Sequence, residues 1–393
     1  MGIRTKFNPI GALPNSNGIA QIACSNNTTW ALKTDGTLWG CGSRSGSTFM
    51  QELTDVVQFA CSDSTTWVIR TDGTLWGRGG GSYGQQGNGN ISDVTIFTQR
   101  LTDVAQVACS NYTTWAIKTD GTLWGCGRSD YGQQGNGITS NLPTFTQRLT
   151  DVAQVVCSDN TTWALKTDGT LWGCGRGNYG QQGNNNTSDT TVFTQRLTGI
   201  SQVACSDDTT WALKTDNRLY GCGRGDYGQQ GNGGTSNSKT FQYQMGGVLQ
   251  VFCSRQTTWF IYQDNSLFGC GSNERGQQGN GSTSNVSTFT RRLTDIAQVA
   301  CSFNATWALK TDGTLWGCGY NYHGQQGQNT SGVSASVTAF TQRLTDVAQI
   351  TCSENTTWAL KSDNTMLGCG DGYYGQQGNG SRNDVLTFTQ REF

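Results

Sequence analysis

A tryptophan recurs through this chain at Trp30, Trp67, Trp115, Trp163, Trp211, Trp259, Trp307 and Trp358, always within a Thr-Thr-Trp or Ala-Thr-Trp element. The intervals are 37, 48, 48, 48, 48, 48 and 51 residues. Self-similarity at such a period marks a stacked repeat architecture, in which no unit buries its apolar surface alone. A typical unit reads AQVVCSDNTTWALKTDGTLWGCGRGNYGQQGN, then a variable stretch, then VFTQRLTG. The units begin near Ile19 and run on without a linker or a shift in composition. We read residues 1–18 as an N-terminal arm and residues 19–393 as one repeat domain.

Each unit resolves into four short strands. Strand A (AQVACS) alternates apolar and polar residues, and strand B (TTWALKT) is rich in threonine and tryptophan. Strand C (TLWGCG) follows Asp-Gly or Asp-Asn, as at Asp168-Gly169 and Asp216-Asn217, which predicts a two-residue hairpin between B and C. Strand D (TFTQRL) follows a loop rich in Gly, Asn and Ser. No stretch keeps a long 3.6-residue apolar period, so helix is expected to be nearly absent. Four strands in about 48 residues is the arithmetic of a propeller blade, whose sheets cover one another around an axis. The expected fold class is all-β, a β-propeller of four-stranded antiparallel blades. Eight copies of A, B and C predict eight blades, with seven as the alternative. A solenoid fits less well, since the last unit carries no distinct polar cap.

Composition narrows the function. In 393 residues, 26 Lys+Arg face 27 Asp+Glu, so nothing favours nucleic acid or an acidic membrane as partner. No apolar run approaches a membrane span, and MGIRTKFNPIGALP lacks the apolar core of a secretory signal. A single histidine, His323, removes most histidine-based chemistry. The 15 cysteines are periodic, on strand A and on strand C, where Arg78 breaks the series. None forms Cys-x-x-Cys, so zinc is not expected, and strand B separates the two cysteines of a unit, which speaks against a disulfide. Small buried thiols in a reducing cytosol are the expectation. Asp207, Asp208 and Asp226 are the one acid set that a glycosidase could use, and they lack the logic of a catalytic pair. We expect no enzyme activity, no cofactor and no metal.

The runs GTLWGCGRGDYGQQGNG and VACSDDTTWALKTD resemble the repeat of the regulator of chromosome condensation family. The family's Gly-Gln-Leu-Gly appears as Gly-Gln-Gln-Gly at Gly84–Gly87, Gly132–Gly135, Gly180–Gly183, Gly228–Gly231, Gly276–Gly279, Gly324–Gly327 and Gly375–Gly378. The resemblance covers almost everything after residue 18 and implies a propeller, usually of seven blades. It departs in having Cys where Ala or Trp is common, Thr where His is frequent, and no such loop in the first unit. The family's nucleotide exchange on a small GTPase and its chromatin binding do not carry over, since no residue pattern for them is present.

Alternating strands place the A–B turns and C–D loops on one face, and there the units differ. The recognition candidates are Tyr112, Arg255, Phe303, Tyr320, Tyr322, His323 and Tyr373, on loops of a rigid scaffold. The opposite face repeats Lys-Thr-Asp-Gly and Arg-Leu-Thr-Asp, and its lysines (Lys33, Lys118, Lys166, Lys214, Lys310, Lys361) read as solubilising charge. In the arm, Phe7, Pro9 and Ile10 would dock to a neighbouring subunit, or the arm would supply a D strand competing with Thr387–Arg391. The expected function is non-enzymatic binding or structure. The first setting is a virion surface, as in a phage tail fibre, baseplate or decoration protein assembled in the host cytoplasm. There the partner would be other virion subunits or a host receptor, protein or glycan, bound by adhesion. The alternative is a cytoplasmic protein-interaction scaffold.

Overall fold

The computed structural model describes residues 18–332 and 335–393. They form eight separate four-stranded antiparallel sheets, each built from one sequence unit, and contain no α-helix. The first blade is β1 (Ile19–Cys24), β2 (Thr28–Lys33), β3 (Leu38–Gly42) and β4 (Gly46–Leu53), paired in that order. The others span Val56–Leu101, Val104–Leu149, Val152–Leu197, Ile200–Met245, Val248–Leu293, Ile296–Leu344 and Val347–Arg391. The A strands of adjacent blades touch one another around the whole ring, including β1 with β29 (Val347–Cys352). Strand A is therefore innermost and D forms the rim. Eight blades, not seven, close the circle. Phe7, Pro9 and Ile10 lie outside the described residues. The D place of the last blade is taken by β32 (Val385–Arg391), so no strand from the arm is needed there.

The B–C hairpin corrects the sequence reading. The loop has three residues, Thr34-Asp35-Gly36, with the Gly36 N–H donating to the Lys33 carbonyl and the Lys33 N–H to that of Thr37. Only Gly36 is left-handed, at φ 81°, whereas a two-residue type I′ turn would need two such residues. Asp35 accepts from both the backbone N–H and the hydroxyl of Thr37, which fixes the turn from within. The opposite-face lysines are tied down as well. Lys33 Nζ lies 4.5 Å from the Trp39 ring and Lys166 Nζ lies 5.4 Å from that of Trp172.

The seams between blades are aromatic. Each strand-B tryptophan is fully buried and meets the strand-D phenylalanine of the next blade edge to face. Trp30–Phe97 is at 6.0 Å and Trp115–Phe193 at 5.8 Å, and Trp358–Phe49 closes the circle at 5.9 Å. Such a pair adds about 0.5–1.5 kcal/mol beyond the area it buries. The tryptophan also dictates the Leu-Trp-Gly-Cys-Gly motif. A Cβ on Gly125 would stand 2.4 Å from Trp115 Cζ3, and Gly127 is held at φ 108° against the Tyr112 carbonyl.

The Gly-Gln-Gln-Gly loops lace one blade to the next. Gln85 Oε1 accepts from its own loop at the Tyr83 N–H, and Nε2 donates to the Asn111 carbonyl of the following blade. The backbone carbonyl of Gln85 accepts twice from that blade, from Thr114 Oγ1 at 2.9 Å and from the Cys126 thiol at 3.4 Å. Burial pushes the Cys126 thiol well above its ordinary pKa, which keeps it protonated and able to donate. Cys24 and Cys41 both lie level with Thr29, on either side of strand B, which puts them two strand spacings apart.

Two irregularities of the sequence have one cause. The first blade turns from Gly42 to Gly46 without the long loop, so the second blade has no glutamine carbonyl to meet. There the strand-C cysteine is replaced by Arg78. Its guanidinium reaches back to Glu52 at 3.1 Å and Ser45 at 2.6 Å, and packs against the rings of both Trp30 and Phe97. Glu52 occupies the strand-D position that carries Arg100, Arg148, Arg196, Arg292, Arg343 and Arg391 in six other blades. Charge has been exchanged across this one seam.

Candidate functional site

The varied face has three parts. Around the axis, the A–B turns are linked blade to blade. The Glu354 N–H donates to Asn26 Oδ1, Asn26 to Asp63, Asp63 to Asn111, Asn111 to Asp159, and Asp159 to Asp207. The next two turns present Arg255 and Phe303, whose side chains have no acceptor to continue the chain. Burial, with Asp159 and Asp208 beside it, pushes the Asp207 carboxyl up to about 6. Arg224 bonds both Asp208 (3.1 Å) and Asp226 (2.7 Å), so these two carboxylates are tied up with a cation. Arg255 reaches the same Asp208 at 3.8 Å.

Further out, each seam brings a residue of one C–D loop against the end of the next strand C. In three consecutive seams this is a tyrosine under an arginine: Tyr83 with Arg128 (5.4 Å), Tyr131 with Arg176 (5.1 Å) and Tyr179 with Arg224 (4.9 Å). Tyr112 joins the first of these, 4.9 Å from Tyr83 and under the same Arg128. Each contact is worth about 0.5–1 kcal/mol at partly exposed sites, and it holds the loops in place. Between the sixth and seventh blades the polarity reverses, with Arg275 over Tyr320 at 5.5 Å.

Between the seventh and eighth blades the pattern changes again. His323 occupies the tyrosine position and Asp371 the arginine position. Tyr322, Tyr373 and Tyr374, on the C–D loops of these two blades, are exposed. Tyr320 stacks parallel to Tyr322 at 6.1 Å, Tyr322 meets His323 edge to face at 4.9 Å, and Tyr373 meets Tyr374 in the same way at 4.9 Å. His323 Nδ1 lies 2.9 Å from Asp384 Oδ2. One donor atom each of His323, Asp371 and Asp384 falls within 4.8 Å of the others.

Of the sequence candidates, Tyr322 and His323 meet on the seventh-blade side of this seam, Tyr373 bonds Asp371 on the eighth-blade side, and Tyr320 stacks on Tyr322 while facing Arg275 across the preceding seam. Phe303 stands in the axial turn of the seventh blade, whereas Arg255 lies one blade back and reaches Asp208 of the fifth. Tyr112 lies on the third blade, away from them, and packs within the tyrosine–arginine row. Asp371, Asp384 and Tyr374 were missed. The signal for Asp371 was in the sequence, as an acid where Arg128, Arg176 and Arg224 stand in other units.

Models of the regulator of chromosome condensation (RCC1) repeat match residues 104–133, 152–181, 200–229 and 296–325, and a second model of that repeat matches residues 120–165. No curated protein matches the sequence. Among solved structures, Prp20p from Saccharomyces cerevisiae, described with its binding to Gsp1p and histones, has 18% identity and a TM-score of 0.65, over 83% of this chain and 87% of that one. Yeast RCC1 (Prp20) bound to Kap60 has 18% identity and a TM-score of 0.62, over 81% and 83%. Human WBSCR16 has 20% identity and a TM-score of 0.62, over 81% and 93%. Identities this low establish a shared fold. Matches to the regulator of chromosome condensation repeat thus lie within residues 104–229 and 296–325 of an eight-bladed propeller.

Proposed function

We propose that this propeller is a non-enzymatic protein-interaction module. Its docking surface is the seam of the seventh and eighth blades with the adjacent axial turns. The observation that carries the reading is the break in pattern there. Elsewhere on this face the loop tyrosines are engaged by arginines, whereas Tyr322, Tyr373 and Tyr374 are 43%, 69% and 42% exposed. Exposed tyrosines with Phe303 in the axial turn of the same seventh blade suit a protein partner, because aromatic side chains are prominent in interface hot spots. The related propellers are described with protein partners (Gsp1p, histones and Kap60), which favours a scaffold over a virion-surface role. A cytoplasmic setting goes with this reading, since fifteen cysteines without disulfide geometry within a blade suit a reducing compartment. Against catalysis stands the engagement of Asp208 and Asp226 by Arg224.

The test is a photo-crosslinking amino acid placed at Tyr322 or Tyr373, with Lys166 on the opposite face as control, in cells that express the protein naturally. A discrete protein adduct from the first two positions, lost on mutating the remaining tyrosine to alanine, is expected. Equal adducts from Lys166, or binding to a glycan array that depends on the same tyrosines, would overturn the reading.

A further inference from the structure

We infer that His323, Asp371 and Asp384 form a site for one borderline divalent cation such as Zn2+, spanning the seam between the seventh and eighth blades. The three come from different parts of the fold. His323 opens the Gly-Gln-Gln-Gly loop of the seventh blade, with its N–H on Gln325 Oε1. Asp371 directly follows the last strand C (Met366–Gly370), and Asp384 immediately precedes β32. Each carboxylate is aimed by a backbone bond to one oxygen. Asp371 Oδ1 accepts from the Tyr373 N–H at 2.8 Å, and Asp384 Oδ1 accepts from that of Gly372 at 3.2 Å. The second oxygen of each is left for another partner, and that of Asp384 faces His323.

Asp371 is the independent sign. It is 8% exposed, and a carboxylate so buried ordinarily has a cation or several donors around it. At three equivalent seams the arginine that occupies its position brings its own positive charge. Here the position is acidic, and Asp384 brings a second carboxylate to the same imidazole. A divalent cation would supply the missing charge. Ligands at about 2.0–2.1 Å from a metal stand about 2.9–3.4 Å apart when adjacent, and His323 Nδ1 and Asp384 Oδ2 are already 2.9 Å apart. One imidazole with two carboxylates suits Zn2+, Co2+ or Ni2+ and disfavours Ca2+ and Mg2+, which take oxygen alone. Three protein ligands leave a fourth position for water or a further ligand. None of the cysteines takes part, so the site escapes the expectation drawn from their spacing.

His323 is the sole histidine, so in full-length protein labelled with 15N-histidine the imidazole signals report this site alone. One equivalent of Zn2+ is expected to shift them to saturation, with no response to Ca2+ or Mg2+. Asp384→Asn and Asp371→Asn should each weaken the response by about tenfold or more, as even outer-shell partners do. Both variants keep the oxygen that the backbone holds, and unchanged circular dichroism would show that they fold. Co2+ gives the second readout: d–d bands without a sulfur-to-cobalt band. Imidazole signals unmoved by excess Zn2+, a response equal in the wild type and both variants, or a thiolate band on adding Co2+ would overturn the assignment.

Discussion

Replacing Arg78 by alanine isolates the one seam that is held by charge. Its side chain is 6% exposed and that of Glu52 20%, so Arg78→Ala leaves a largely buried carboxylate without its cation, the Ser45 hydroxyl without its partner, and a void beside Trp30 and Phe97. Breaking such a pair from one side costs about 3–5 kcal/mol. With roughly 2.1 cal/mol/K of unfolding entropy per residue over 393 residues, a loss of that size lowers a cooperative melting temperature by about 4–6 °C. Glu52→Arg alone should be comparably damaging, because it sets two guanidiniums together. The combined Glu52→Arg and Arg78→Cys exchange rebuilds the arginine–cysteine arrangement of Arg100 and Cys126 and should recover most of the loss. In a double-mutant cycle of Glu52→Arg and Arg78→Cys read by urea denaturation, singles that each cost about 3–5 kcal/mol and a double close to wild type give a coupling of about 5 kcal/mol or more. Additive effects, or an Arg78→Ala midpoint within error of wild type, would refute the claim that charge was exchanged across this seam.

Gly125→Ala drives a methyl into the buried Trp115 indole at 2.4 Å and should cost about 1–3 kcal/mol by chemical denaturation; an unchanged midpoint would contradict the packing described. Asp207 is raised from 3.8 to about 6, so its stabilising contribution is present below pH 4 and lost as pH rises through 6. Asp207→Asn should therefore stabilise the protein at pH 8, by up to about 3 kcal/mol, and the gain should vanish near pH 4. A pH-independent difference between the two proteins would count against this. The strand-C cysteines, fully buried and with raised pKa, should resist iodoacetamide at pH 8 until the protein unfolds, as mapped by mass spectrometry. Rapid native labelling of Cys126 or Cys174 would show that this part of the seam is open.

The period of the tryptophans and the four-strand unit made the propeller legible, because these features are local and repeat. The Asp-Gly dipeptide suggested a two-residue turn, but Thr34 also belongs to the loop, a difference that depends on φ at a single residue. Both oddities of the first two blades, the missing loop and Arg78, were visible in the sequence. Their connection was not, because it runs through a backbone carbonyl of a neighbouring blade. The same holds at the candidate site. The tyrosines and His323 stood out by type, whereas Asp371 and Asp384 gain meaning only once the ring sets the seventh blade's loop against the eighth blade. Tyr112 stood out equally well and proves to pack under Arg128, which composition could not foretell.

The central claim is a closed ring of eight blades in which the loop of the last reaches strand D of the first, where Asn379 bridges Thr48. Electron cryomicroscopy of the full chain, viewed down the axis, tests it most directly. Eight spokes with continuous density between the first and last are the expected result. Seven spokes with one unit displaced, or a gap that opens the ring into a superhelix, would contradict it.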